Sequence, residues 1–138
     1  MTLFGQEHVD RYRATDGAEG YRWRKDTTIL LLTTKGRTSG REYTHPLIYR
    51  EYNGDYLIVA SKGGDPKAPG WYHNLKANPS VEINVGPKRF GVTAHPVLPD
   101  DADYKRLWQI VNDNNSNRYE AYQEKTSRPI PVVKLKPA

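Results

Sequence analysis

From residue 27 onward the apolar positions fall into short runs separated by turn residues. TTILLLTTK (27–35) is β-branched and apolar almost throughout and predicts a buried strand. GRTSGR then turns the chain into EYTHPLIYRE (42–51), a second strand in which Pro46 demands a sheet edge or a bulge, because proline has no N–H for a ladder. Asn53-Gly54 is a hairpin signal, and YLIVAS (56–61) returns as a third strand. Pro69 to Ala77 predicts a short helix stopped by Asn78-Pro79. SVEINV (80–85) alternates as a half-wet strand does, and Gly86-Pro87 passes it to RFGVTAHPV (89–97). Tyr104, Leu107, Trp108 and Val111 share one face of a helix predicted over 100–112, with Asp100, Asp101 and Asp103 at its positive end. DNNSNR breaks that helix, 118–125 predicts a second short one bearing Tyr119 and Tyr122, and IPVVKL closes as a last strand. Before residue 27 the pattern predicts only a short helix carrying Val9 and Tyr12, broken at Asp16-Gly17 and Gly20.

About six strands joined mostly by hairpins, with a few helices, describe an α+β domain whose sheet is mostly antiparallel. A small closed or split β-barrel fits best. The scarcity of long crossovers argues against a doubly wound parallel sheet. The expected organisation is an N-terminal helical or irregular segment over 1–26 and a barrel domain over 27–138. The 138 residues leave no room for a second core.

Charge sharpens the picture. The net charge is +5, and residues 35–89 carry nine basic against five acidic groups, whereas 1–34 balance at five each and 90–138 at seven and six. The excess is therefore central, which suits an anionic partner or simply a basic surface. Cysteine is absent, which rules out disulfides, thiol nucleophiles and thiolate metal sites. The first residues lack the apolar core of a signal peptide, and Ile29–Leu32 is far too short to span a bilayer.

Two glycine turns lie in the basic segment. In KGRTSGRE (35–42), Arg37, Thr38 and Ser39 sit between glycines, so the turn can aim backbone N–H groups and side-chain donors at an anion, although taken alone an ordinary polar β-turn is the better account. SKGGDPKAPGWYHNL (61–75) is harder to dismiss. Ser61 and Lys62 stand at a strand end, Gly63 and Gly64 permit close backbone approach, and Trp71 and Tyr72 open a helix with Asn74 three residues after Trp71. Core packing explains Trp71 and Leu75 but not Ser61-Lys62-Gly63-Gly64. A groove for a flat anionic molecule explains all of them. Tyr119 and Tyr122 either pack on the barrel or cap such a pocket.

His8, His45, His73 and His95 show no ligand spacing, so no metal site is expected. There is no GxSxG elbow and no carboxylate pair suited to acid–base work. Redox chemistry would have to come from a cofactor.

TTKGRTSGREYTHPLIY, YLIVASKGGDPKAPGWYHNLKANPSVEI and the final RPIPVVKL resemble the deazaflavin-dependent nitroreductase family, actinobacterial reductases that use coenzyme F-420 on a split β-barrel related to pyridoxamine-phosphate-oxidase-like proteins. The resemblance covers roughly residues 27–138. It implies that Arg37, Thr38, Ser39 and Arg41, with Lys62, hold the coenzyme's phosphodiester and glutamyl tail beside Gly63 and Gly64. Tyr43, Thr44, His45, Pro46 and Leu47 would line the cofactor; Val59, Ala60, Ser61 and Lys62 would run under its ring; Gly70, Trp71, Tyr72 and Asn74 would close the other side. Ser61, Tyr119 and Tyr122 would carry the catalytic hydrogen bonds to the acceptor. Thr38 and Ala68 depart from the basic residue and the Asn common at those positions, and the run before the last helix differs in length.

The implied activity is hydride transfer from reduced F-420 to a quinone, an activated enone or a nitro compound. FMN on the same barrel, or a non-catalytic protein that holds F-420 or nucleic acid, are the alternatives. Nucleic acid is disfavoured because aromatic and basic residues do not interleave on the strands. The expected protein is cytoplasmic, monomeric or homodimeric, with weak association at the inner face of the membrane as an option.

Overall fold

The computed structural model describes residues 5–24, 27–115 and 117–137. Seven strands form one antiparallel sheet: β1 (Arg22–Arg24), β2 (Thr27–Lys35), β3 (Glu42–Tyr52), β4 (Asp55–Val59), β5 (Ser80–Val85), β6 (Lys88–Val97) and β7 (Val132–Pro137). The order is β1-β2-β3-β4-β7-β6-β5, and β2 also pairs with β5. That last pairing closes β2 to β7 into a six-stranded barrel, with β1 appended outside it. The described helices are α1 (Gly5–Ala14), α2 (Gly70–Ala77), α3 (Tyr104–Asn114) and α4 (Arg118–Glu124). Among the described residues no helix is long and apolar enough to cross a membrane.

The unbroken apolar run of β2 follows from burial on both faces. Leu30 and Leu32 point into the barrel with Ile58, Leu75, Ile83, Val133 and Leu135, while Ile29 and Leu31 pack beneath α1 against Val9 and Tyr12. β4 divides in the same way: Ile58 faces the barrel, and Leu57 and Val59 meet Leu107 and Val111 of α3. β5 needs one buried face only, so Val81 and Ile83 enter the core while Glu82 stays outside and pairs with Arg89 at 2.5 Å.

The Asn53-Gly54 hairpin forms with φ of +52° and +82°, a pair of left-handed residues matched to the twist of the strands. Pro46 sits where β3 has β2 on one side only, because β3 pairs with β4 solely from Arg50 to Tyr52. The edge that the missing N–H requires is therefore present, and it faces the first of the cavities described below. β1 is an addition to the expected strands; three residues with two arginines carry no apolar period. α3 begins at Tyr104 rather than at residue 100. The preceding aspartates form a turn instead, in which the Asp101 carboxylate accepts the Asp103 N–H at 2.8 Å, a local bond that competes with helix.

Candidate functional site

A cavity of about 590 Å³ opens at the free edge of β3. His45, Pro46, Leu47 and Ile48 supply one wall, Val59, Ser61 and Lys62 the floor at the end of β4, and Gly70 and Trp71 the start of α2. Asn115, Arg118, Tyr119 and Tyr122 close it from the α3–α4 corner, and Gly5 and His8 reach it from α1. A second cleft of about 670 Å³ shares Lys62 and Gly70 with the first. Its lining includes Arg37, Lys62, Lys67, Lys76 and Arg128, with Tyr72 and His73 between them. The first cavity is walled mainly by apolar and aromatic groups, with Lys62 and Arg118 among them, and five of the thirteen residues lining the second are cations, set among prolines, Ala68 and Leu98.

The junction is built with strain. Lys62 is a non-glycine residue with φ of +45°, at the start of a single 3-10 turn over Lys62–Gly64. Arg128 holds that turn, donating to the carbonyls of Ala60 at 3.2 Å, Ser61 at 2.8 Å and Asp65 at 2.8 Å. With those carbonyls satisfied, the Lys62 side chain is left exposed between the two cavities. Gly64 (φ +85°) lies against the backbone of Tyr122.

Asn74 serves the second cleft from beneath. Buried itself, it accepts from the backbone N–H of Arg37 at 3.3 Å and from Arg37 Nη1 at 3.0 Å, and donates to Thr34 Oγ1 at 3.3 Å. The 37–39 turn is thereby tied to α2. Arg37 lines the cleft, whereas Thr38, Ser39 and Arg41 are exposed and line neither cavity; the Ser39 hydroxyl accepts the Arg41 N–H at 3.2 Å. Tyr43 is exposed outside both cavities, Thr44 bonds Thr33 at 2.8 Å and Arg13 at 3.1 Å, and Ala60 is wholly buried. His45, Pro46, Leu47, Val59, Ser61, Lys62, Gly70, Trp71, Tyr119 and Tyr122 converge on the first cavity, and Tyr72 on the second. Gly63 belongs to the same 3-10 turn as Lys62.

Electrostatics separate the two spaces. Burial holds the His45 imidazole below its ordinary pKa, so the ring is neutral, and its Nδ1 is buried without a hydrogen-bond partner. Burial raises the Tyr119 phenol well above 10, opposed by a hydrogen bond from Asn115 and reinforced by Tyr122; Tyr119 is a neutral donor at any physiological pH. In the second cleft, His73 is held below its usual value by burial and then by the charges of Lys76, Arg37 and Arg128. A cleft that resists one more positive charge is one that attracts an anion.

Comparison with known proteins gives the family. Residues 4–137 match the family described as F-420H(2)-dependent quinone reductase. The chain belongs to that family. An F-420H(2)-dependent quinone reductase of Mycobacterium tuberculosis is 64% identical over 128 residues, which are 93% of this chain and 86% of the relative. A solved F-420-H2-dependent reductase is 41% identical with a TM-score of 0.70, covering 78% of this chain and 93% of the other. A solved domain-swapped dimer is 37% identical with a TM-score of 0.73, covering 94% and 92%. At 13% identity and a TM-score of 0.56, a pyridoxamine 5′-phosphate oxidase-related, FMN-binding protein of Nostoc punctiforme shares the fold alone, covering 96% and 79%. The barrel of this quinone reductase family member is therefore the split barrel.

Sequence reasoning passed over His8, Asn115, the cleft-facing Lys76 and the role of Arg128. The signals were weak: Asn115 lies in a run that reads as a helix breaker, and Arg128 reaches residues more than 60 positions away.

Proposed function

We propose that this chain binds reduced coenzyme F-420 across the two joined cavities and reduces a quinone in the first. The observation that carries the reading is the junction at Lys62 and Gly70, where an aromatic-walled cavity meets a cleft lined by five cations. A planar ring with a polyanionic tail needs both spaces, side by side. His45 adds a direct test of fit, because a buried Nδ1 lacking any partner calls for a polar atom of a bound molecule at the β3 edge.

When bound, reduced F-420 supplies a hydride to the acceptor. The residues of the chain do the rest. Arg37, Lys62, Lys67 and Lys76 draw the tail into the second cleft, with Arg128 contributing charge while it fixes the Ser61–Asp65 backbone. Pro46, Leu47 and Trp71 exclude water and hold the ring at the edge of β3. Holding two flat reactants face to face removes much of the entropic barrier. Ser61 and Tyr119, which line this cavity with Tyr122, donate hydrogen bonds to a quinone oxygen as it gains charge.

Five cations exceed what one phosphate needs, which favours F-420 over FMN. The discriminating experiment is a fluorescence titration of the protein with F-420 and FMN in parallel. Tighter F-420 binding that weakens with added salt supports the reading; preference for FMN contradicts it.

A further inference from the structure

We infer that Arg118 selects the acceptor: it is a specificity residue for quinones that carry a carboxylate beside the ring. The inference rests on the proposed quinone site and deepens it by naming the class of quinone.

Lys62 and Arg118 both line the first cavity, and they differ in what else they serve. Lys62 also lines the second cleft, where the coenzyme's tail accounts for it. Arg118 lines the first cavity alone, so the tail leaves it without a task. Its charged head, and not merely its stem, lies at the wall. Nη1 is 3.4 Å from Oδ1 of Asn115, a residue that lines the same cavity and has only 2% of its surface exposed.

No carboxylate balances that guanidinium. Among the described residues the ion pairs join Arg11 to Glu19, Arg89 to Glu82 and Arg106 to Asp103, and no aspartate or glutamate lines the cavity. Glu120 stands two positions further along α4, but it accepts the Trp108 indole N–H and is committed to α3. The Asn115 amide is neutral, and the bond to it takes up one of the five N–H donors that a guanidinium carries. Arg118 is half-buried, and a cation partly withdrawn from water attracts an anion more strongly than one on an open surface. Its planar fork matches the two oxygens of a carboxylate better than the single oxygen of a quinone carbonyl. An acid beside the quinone ring therefore gains a charge-assisted contact that a neutral quinone lacks.

The test is binding without turnover. Protein loaded with oxidised F-420 is titrated, by quenching of the coenzyme's fluorescence, with a methylnaphthoquinone bearing a propanoate side chain and with the methyl ester of that acid. The two share a ring and differ in charge. Wild type should bind the acid about tenfold more tightly than the ester, the size of one charge-assisted hydrogen bond, and the margin should narrow with added salt. Arg118→Met should abolish the margin by weakening the acid alone, Arg118→Lys should keep part of it, and Arg118→Glu should reverse it. Equal binding of acid and ester by wild type, or a margin that survives in Arg118→Met, overturns the inference. So does an equal loss for both quinones in Arg118→Met, which would make the residue structural, or a loss of F-420 affinity there, which would give the guanidinium to the coenzyme. Each of those results leaves the quinone site standing. If Arg118→Met does not fold, Arg118→Lys and Arg118→Glu decide: a margin that ignores the sign of the charge overturns the inference. A wild type that binds neither quinone overturns the site reading and this inference with it.

Discussion

The carbonyl oxygen of Tyr122 lies 2.6 Å from the point where a side chain on Gly64 would begin. Gly64 thus lets α4 settle directly onto the 3-10 turn that presents Lys62. Gly64→Ala must both displace α4 and hold alanine at φ +85°. Strain of that kind costs about 1–3 kcal/mol. Chemical denaturation should show a loss of that size, with quinone turnover reduced further because Tyr122 moves; a variant as stable as wild type would contradict the close approach.

Lys62 stands where the two cavities meet. Lys62→Ala should weaken F-420 about tenfold or more, as loss of a charge-assisted contact does, and the variant should show a shallower salt dependence. The dissociation constant measured at two ionic strengths checks both parts. Unchanged affinity would separate Lys62 from the tail.

His73 reports on the second cleft. Burial, then Lys76, Arg37 and Arg128, depress its pKa. An anionic tail laid between those cations cancels part of their field, so the imidazole pKa should rise when F-420 is added and should not rise with a neutral deazaflavin lacking the tail. Histidine NMR titration distinguishes the two. No movement with intact F-420 would place the tail elsewhere.

Much of the barrel was legible because its signals are local. The boundaries of β2 and β5 follow from TTILLLTTK and SVEINV, and Asn53-Gly54 specifies its hairpin by backbone preference alone. Legibility fell wherever a residue works across the chain. Arg128 bonds carbonyls at 60, 61 and 65, and Asn74 anchors a turn 37 residues earlier; neither leaves a period or a motif. Glycine has a double meaning as well. At position 64 a residue suited to ligand approach also lets a helix pack closely. The residues of KGRTSGRE diverge for a similar reason: Asn74 draws Arg37 to the cleft, while Thr38, Ser39 and Arg41 stay exposed on the turn.

The buried tyrosines make stability fall in alkali. Burial raises Tyr12 and Tyr104 to about 12 and pushes Tyr49 and Tyr119 higher still. Between the unfolded value near 10 and these folded values, the unfolded chain binds fewer protons, so unfolding becomes easier as pH rises. Their contribution is complete below about pH 10 and is lost as pH climbs through 12. The thermal midpoint should therefore stay level with respect to these groups up to about pH 9.5 and then drop, less steeply in Tyr104→Phe. A flat profile to pH 12 would contradict the burial of these phenols.

The most direct measurement mixes the protein, loaded with reduced F-420, against a naphthoquinone in a stopped-flow instrument and follows the return of the oxidised coenzyme's absorbance. Rapid single-turnover oxidation that saturates with quinone, and is slowed in Tyr119→Phe with little change in F-420 affinity, is the predicted result. Reoxidation no faster than in protein-free buffer, with F-420 demonstrably bound, would contradict the account.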